Sequence, residues 1–294
     1  MSGTDAETLD GTPVRRLRVG DDLAACTELA QDRDWPPEEH KWRLLFRIGR
    51  VYGVDDPASP GRLAGTVVST PYGRDVSAIS MVLVARRYER QGLGGRLMRH
   101  ALDHCGTAGA CLTATEYGRV LYERLGFRAV GKCVTYKGEP SGRAGSAGAA
   151  SRRFEDGDMA DVLALDAEAF GAPRTELLRR LPSFCEDFRV VRGEGDGPLL
   201  GFGGAWRNGD LLMVGPVTGR DATTALGLVE ALALTDGVAG TVVRLDVDRR
   251  HPELLEWAER NGMKVAFTTT VMEYGASAGG DQSRLFVPVM QALG

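Results

Sequence analysis

The sequence predicts an α/β fold with a mixed sheet, built twice in tandem, and three observations predict it. An apolar run over residues 79–85 leads through a charged turn to three glycines, Gly92, Gly94 and Gly95, and then to an amphipathic helical pattern. A stretch without periodicity, GEPSGRAGSAGAA at 138–150, has linker composition and divides the chain almost evenly. The segments on its two sides repeat one another in order.

Taken along the chain, RRLRVGDDLAACTELA (from residue 15) and RRFEDGDMADVLALDA (from residue 152) each read as a short strand, a Gly-Asp turn able to cap a helix, and a helix. In the first half VYGVDD, RLAGTVVST and AISMVLVA follow as successive strands, with a Pro-Tyr-Gly turn between the last two. Helices over 93–105 and 118–125 then flank a buried strand over 111–115. CLTATEYGRVLYERLGFRAV at 111–130 has its echo in VRLDVDRRHPELLEWAERNGMKV at 243–265: a buried strand, a loop, a helix ending at glycine, another strand. Corresponding points lie about 137 residues apart, as an internal duplication requires. RLFVPVMQALG at 284–294 reads as a late strand after a loop over 275–283. The expected division is a first domain over 13–137, the linker, and a second domain over 151–294.

A chain of 294 residues has room for two domains, and 43% hydrophobic with 26% charged residues is the composition of a soluble globular protein. The net charge of −4 argues against a nucleic-acid partner, and is compatible with a cationic small substrate. Five cysteines form no close-spaced pair, which suggests reduced thiols and a cytoplasmic location. MSGTDAETLDGTP at the start is polar, expected to fray, and holds no secretory apolar region; no apolar run approaches the ~18 residues of a membrane span. A monomer or homodimer with no membrane partner is expected. His100 and His104 have a spacing that could hold a metal, but no carboxylate pattern accompanies them, and no metal is expected.

Glycine gives up the most backbone freedom on ordering, so three of them at a helix start suggest that something approaches the backbone closely there. Helix N-termini carry unpaired N–H groups and partial positive charge, which suit a phosphate. The strand, the charged turn with G-x-G and the helix together resemble the acetyl-CoA-binding motif of the GNAT superfamily of N-acetyltransferases, and LYERLGF at 121–127 resembles its second motif. The duplicated layout, with AFGAPRTELLRRL opening the second half, resembles the tandem, YitH-like group of that superfamily.

The resemblance implies two acyl-CoA N-acyltransferase domains. It implies that Met81, Val82 and Val84 meet the pantetheine arm, and that Arg90, Gln91, Gly92, Leu93, Gly94 and Gly95 hold the pyrophosphate, chiefly by main-chain N–H groups. Tyr122 is implied as the general acid for the departing CoA thiolate; core packing beside Phe127 is the other reading of that ring. Glu116, just past a strand end, is a candidate general base; a solvated loop glutamate is the other reading of it, and an ordered-water relay from a carboxylate is the other route to the base. The sequence departs from the pattern at Glu89, where the family has Arg or Gln, so that Arg86, Arg87 or Arg90, with Arg90 the first choice, is expected to supply the missing positive charge. It departs again at Thr115, where asparagine is often found.

In the second half, VGPVTGRDATTALGLVEAL at 214–232 keeps Gly219 but has Ala222, Thr223 and Thr224 where the cradle should be, and Ala258 falls opposite Tyr122. A degenerate copy that keeps the fold is expected, supplying packing area and one wall of the substrate cleft, with a purely structural role as the other reading. Trp35, Trp42, Tyr72 and Trp206 are either acceptor-pocket or packing residues, packing being the simpler reading. The function implied is transfer of acetyl from acetyl-CoA to a primary amine of a small molecule by direct attack. Two rivals stand beside it: a mycothiol synthase-like acyltransferase, whose catalytic half is the second, and a non-catalytic acyl-CoA-binding regulatory module.

Overall fold

The structure is a computed structural model that describes residues 11–141, 150–195, 197–234 and 240–294. The start of the expected frayed segment (1–10) and most of the expected linker (142–149) lie outside the described residues. The chain divides into two compact units: one holds the residues up to Pro71 with Ile79–Gly106, the other holds Tyr72–Ala78 with Thr107–Gly294.

The first unit is built from β1 (Arg15–Arg16), α1 (Val19–Asp32), α2 (Glu39–Ile48), β2 (Arg50–Asp55), β3 (Leu63–Tyr72), most of β4 (Val76–Val84) and α3 (Leu93–His104). Its strands lie in chain order, with β1 on β2 and β2 on β3 antiparallel. α1 buries Ala25, Cys26, Leu29 and Ala30, a stripe at helical spacing. The expected Gly-Asp turn before it is part of the helix: Gly20 and Asp21 lie in its first turn, and Asp22 reaches back to accept from Arg18 N at 2.8 Å. α3 buries Leu93, Leu97, Met98 and Ala101 and leaves its polar side to solvent.

The second unit continues with β5 (Gly109–Ala114), α4 (Glu116–Arg124), β6 (Arg128–Gly138), β7 (Arg152–Arg153), α5 (Met159–Phe170), α6 (Thr175–Leu178), α7 (Leu181–Phe184), β8 (Asp187–Arg192) and β9 (Leu199–Asn208). It closes with β10 (Leu211–Gly219), α8 (Ala222–Ala233), β11 (Val243–Asp248), α9 (Pro252–Arg260), β12 (Lys264–Gly275) and β13 (Leu285–Val287). The first three residues of β4 pair in parallel with β5, Val76 opposite Gly109 to Ala78 opposite Cys111. From there the order runs β5-β12-β6-β11-β10-β9-β8-β7, with β13 on β10. The last long strand of each sequence half has thus crossed over: β12 completes the sheet beside β5, and β6 does so beside β11. Both are joined to each other along nearly their whole length. This exchange is why the compact units divide the chain elsewhere than at the linker.

The sequence echo extends to hydrogen bonding at the ends of two helices. Phe127 N donates to Tyr122 O and Met263 N donates to Ala258 O, both at 3.0 Å, where α4 and α9 end. Tyr122 and Ala258 therefore occupy equivalent places. Three of the four aromatic residues singled out pack inside. Trp42 is fully buried, Trp206 donates from Nε1 to Val289 O at 3.2 Å, and Tyr72 packs on Phe170 and donates to Leu293 O at 2.8 Å. Trp35 is 38% exposed, with Lys41 Nζ 5.6 Å from its ring centre. Among the described residues no helix is long and apolar enough to cross a membrane.

Candidate functional site

In the first unit β4 changes direction at Met81, whose φ of 48° is left-handed. A non-glycine residue there carries local strain, and Thr66 Oγ1 holds the bend by donating to Met81 O at 2.9 Å. Met81 and Leu83 are buried, whereas Val82 and Val84 share the opposite, half-buried face of the strand.

The turn after β4 is tied down by its charges. Arg86 donates from its backbone N to Asp32 Oδ2 at 2.8 Å and pairs through its guanidinium with Asp34. Arg87 lies 2.8 Å from the buried Asp56, which also accepts from Tyr88 OH at 2.6 Å. Glu89 is paired with Arg33, so the carboxylate that departs from the family pattern is neutralised within the unit. Arg86 and Arg87 are thus engaged. Arg90 is exposed, has a left-handed φ of 59°, and has no acidic partner among the described residues. Gln91 donates from its side chain to Arg87 O at 3.1 Å.

Gly92 is the N-cap of α3, with φ 82° and no side-chain hydrogen bond to the helix; Leu93, Gly94 and Gly95 form the first turn. The first N–H groups of a helix have no acceptor within it, and here no side chain among the described residues caps them. A Cβ on Gly92 would meet nothing within 4 Å among the described residues, which leave the space in front of this turn open. His100 and His104 farther along α3 stack on each other at 4.1 Å and against Tyr52; His104 Nδ1 lies 2.8 Å from His100 O.

In the second unit Thr115 caps α4 by accepting from Gly118 N at 3.2 Å, the work that an asparagine would do there. Tyr122 is half-buried, its ring 6.0 Å from Phe127. Burial pushes its phenol up to about 12. Its hydroxyl has no hydrogen-bond partner among the described residues. Glu116 is 80% exposed and lies 3.0 Å from Arg119, one turn along the same helix.

The equivalent features of the second half are filled. Asp221 caps α8 with its carboxylate, accepting from Thr224 N at 2.7 Å, so negative charge already sits on that helix N-terminus. β10 pairs in parallel with β11 only from Leu212 to Val214, and beyond the irregularity that follows, Val217 and Thr218 pair with β13. His251, just past β11, stacks on Phe286 at 3.9 Å and approaches Leu285 O with Nε2 at 2.9 Å. By contrast, β4 has no third strand among its described neighbours. Aspartate as the residue before α8 is a sequence signal for the cap; the place of β13 carried no such signal.

A repeated mixed sheet with a glycine-entered helix after a bent strand is the architecture of a tandem acyl-CoA N-acyltransferase. Comparison with known proteins places the chain within that class. The model of the Acetyltransferase (GNAT) family matches residues 17–127, and that of the Acetyltransferase (GNAT) domain matches residues 162–287. The chain belongs to the GNAT family and carries two of its domains in tandem. It is 27% identical to the uncharacterized N-acetyltransferase YitH of Bacillus subtilis, over 92% of this chain and 95% of that one. A Pyrococcus horikoshii protein assigned as an acetyltransferase shares the fold, with TM-score 0.78 at 17% identity over 100% of this chain and 99% of that one. So does a tandem GNAT protein of clavulanic acid biosynthesis, at TM-score 0.64 and 16% identity, over 91% and 98%.

Proposed function

We propose that the chain is an acetyl-CoA-dependent N-acetyltransferase that works through its first half, on a primary amine of a small molecule, by direct attack. The observation that carries this reading is the entry to α3, where a left-handed glycine leaves the first-turn N–H groups uncapped and the space before them open among the described residues. Gly92, Leu93, Gly94 and Gly95 would hold the pyrophosphate by main-chain N–H groups, with Gln91 in the same turn and Arg90 as the unpaired cation beside it. The half-buried face of Val82 and Val84, set by the bend at Met81, would receive the pantetheine arm.

Tyr122 is the general acid in this reading: its phenolic proton passes to the departing thiolate. A phenol held at about 12 stays protonated at neutral pH, and no described acceptor competes for its hydrogen. Glu116 is the base offered by the motif, although it is solvated and paired with Arg119; Glu116→Gln tests that role separately. The filled features of the second half support a single acetyl-CoA site per chain, and speak against a mycothiol synthase-like enzyme working through that half.

Calorimetric titration of acetyl-CoA tests the reading, with one site per chain expected. No binding overturns it, and two sites overturn the assignment of the second half. Tyr122→Phe is expected to lower kcat with the acetyl-CoA Kd unchanged. If turnover persists and affinity falls, the tyrosine is not the acid. Binding without turnover over a broad amine panel would favour the regulatory-module reading.

A further inference from the structure

The strand exchange in the second unit brings the carboxyl ends of β5 and β11 to adjacent rows. Ala114, the last residue of β5, is opposite Thr270, which is opposite Lys132. Asp248, the last of β11, is opposite Cys133, and Arg249 N donates to Lys132 O at 2.9 Å. Strand carboxyl ends are where open α/β sheets take ligands. Here they border a cleft of about 540 Å³ lined by Arg119, Lys132, Asp248, Arg249 and Arg250, with Gly131, Ala129 and Thr270 completing it.

Four of the five charged residues lining it are cationic, opposite to the sign of the chain's net charge. Three of the acidic groups nearby are paired, and Glu273 is a fourth whose charge reaches Arg250. Asp248 is 2.6 Å from Arg250, and Glu116 and Glu123 lie 3.0 and 3.7 Å from Arg119. Lys132 and Arg249 are exposed and have no acidic partner among the described residues. Arg119 Nε is buried without a hydrogen-bond acceptor among the described residues, since Glu123 Oε1 stays beyond bonding range. Arg119 stands on α4, one turn before Tyr122.

We propose that this cleft binds an anionic group, carboxylate or phosphate, of the acceptor, so that the preferred acceptors are amines that also carry negative charge. The assignment to the acceptor rests on the acetyltransferase reading above. Lys132 comes from the first sequence half and Arg249 from the second, which gives the second half a part in substrate selection without an acyl-CoA site of its own.

The test has two arms on the whole protein. In the first, inorganic phosphate is titrated while the backbone amide signals of Gly131 and Arg249 are followed by NMR. Saturable shifts are expected, weakened about tenfold by Lys132→Gln and again about tenfold by Arg249→Gln, as for loss of a charge-assisted hydrogen bond. In the second, acetylation is compared for paired acceptors, an amino sugar with its phosphate ester and an amino acid with its amide. The charged member is expected to have the lower KM, and the double variant to raise that KM with kcat and the neutral member unchanged. Lys132→Glu, at an exposed position, is expected to reverse the preference. Phosphate shifts that the substitutions leave intact overturn the site. Phosphate binding without preference for charged amines overturns its role in the acceptor. Failure of every amine to react sinks the acetyltransferase reading, while the phosphate arm still decides whether the cleft takes anions.

Discussion

Replacing Gly92 by alanine separates the two things that glycine does at the entry to α3. Its φ of 82° is left-handed, which costs an L-residue about 1–2 kcal/mol whatever surrounds it. The added Cβ would meet nothing within 4 Å among the described residues, so they add no steric cost to this. Gly61, in the same unit, supplies the control: its φ is 84° and its Cβ would also stand in open space. Gly92→Ala and Gly61→Ala should therefore lower stability by the same about 1–2 kcal/mol, readable as matched falls in Tm. They should differ in acetyl-CoA affinity. At Gly92 the methyl group enters the space assigned to the pyrophosphate and holds it off the first-turn N–H groups. Loss of one hydrogen bond to a charged group is worth about 1.5–3 kcal/mol, or roughly 10- to 100-fold in Kd. Calorimetric titration of both variants measures this directly. Equal Kd values for the two alanine variants would refute the cradle, since the backbone cost is common to both.

Three further outcomes are expected. Asp221→Ala should cost about 1 kcal/mol through loss of the α8 cap, seen as a lower denaturation midpoint, and should create no second acetyl-CoA site because β13 still lies along β10. Arg174 and Asp166 form a buried pair at 2.6 Å; Arg174→Met strands the carboxylate and should destabilise by about 3–5 kcal/mol in chemical denaturation, far more than a surface pair such as Arg43 with Glu39. Burial holds the phenols of Tyr88, Tyr122 and Tyr136 near about 12, above the usual value of about 10. Between those values the unfolded chain releases protons that the fold retains, so stability is intact below about pH 10 and falls as pH rises toward 12, a trend checked by denaturation at stepped pH.

The sequence by itself determined the order of elements and their correspondence between halves. Apolar periodicity and glycine placement are local, and local backbone preference follows them: the glycine entry to α3, the strand before it, the left-handed ends of α4 and α9 at Gly126 and Gly262. It also set Ala258 opposite Tyr122, since that correspondence is a matter of alignment. Tertiary structure decided what depends on partners distant in the chain. The neutralisation of Glu89 by Arg33 joins residues that no motif links, and the engagement of Arg86 and Arg87 that leaves Arg90 unpaired is settled by Asp34 and Asp56. The exchange of β6 and β12 is invisible to an echo, since equivalent strands satisfy the same hydrogen-bonding pattern beside either half's sheet. That exchange sets Lys132 beside Arg249, more than a hundred positions apart in sequence, and so makes the cationic cleft a property of the fold and not of any segment.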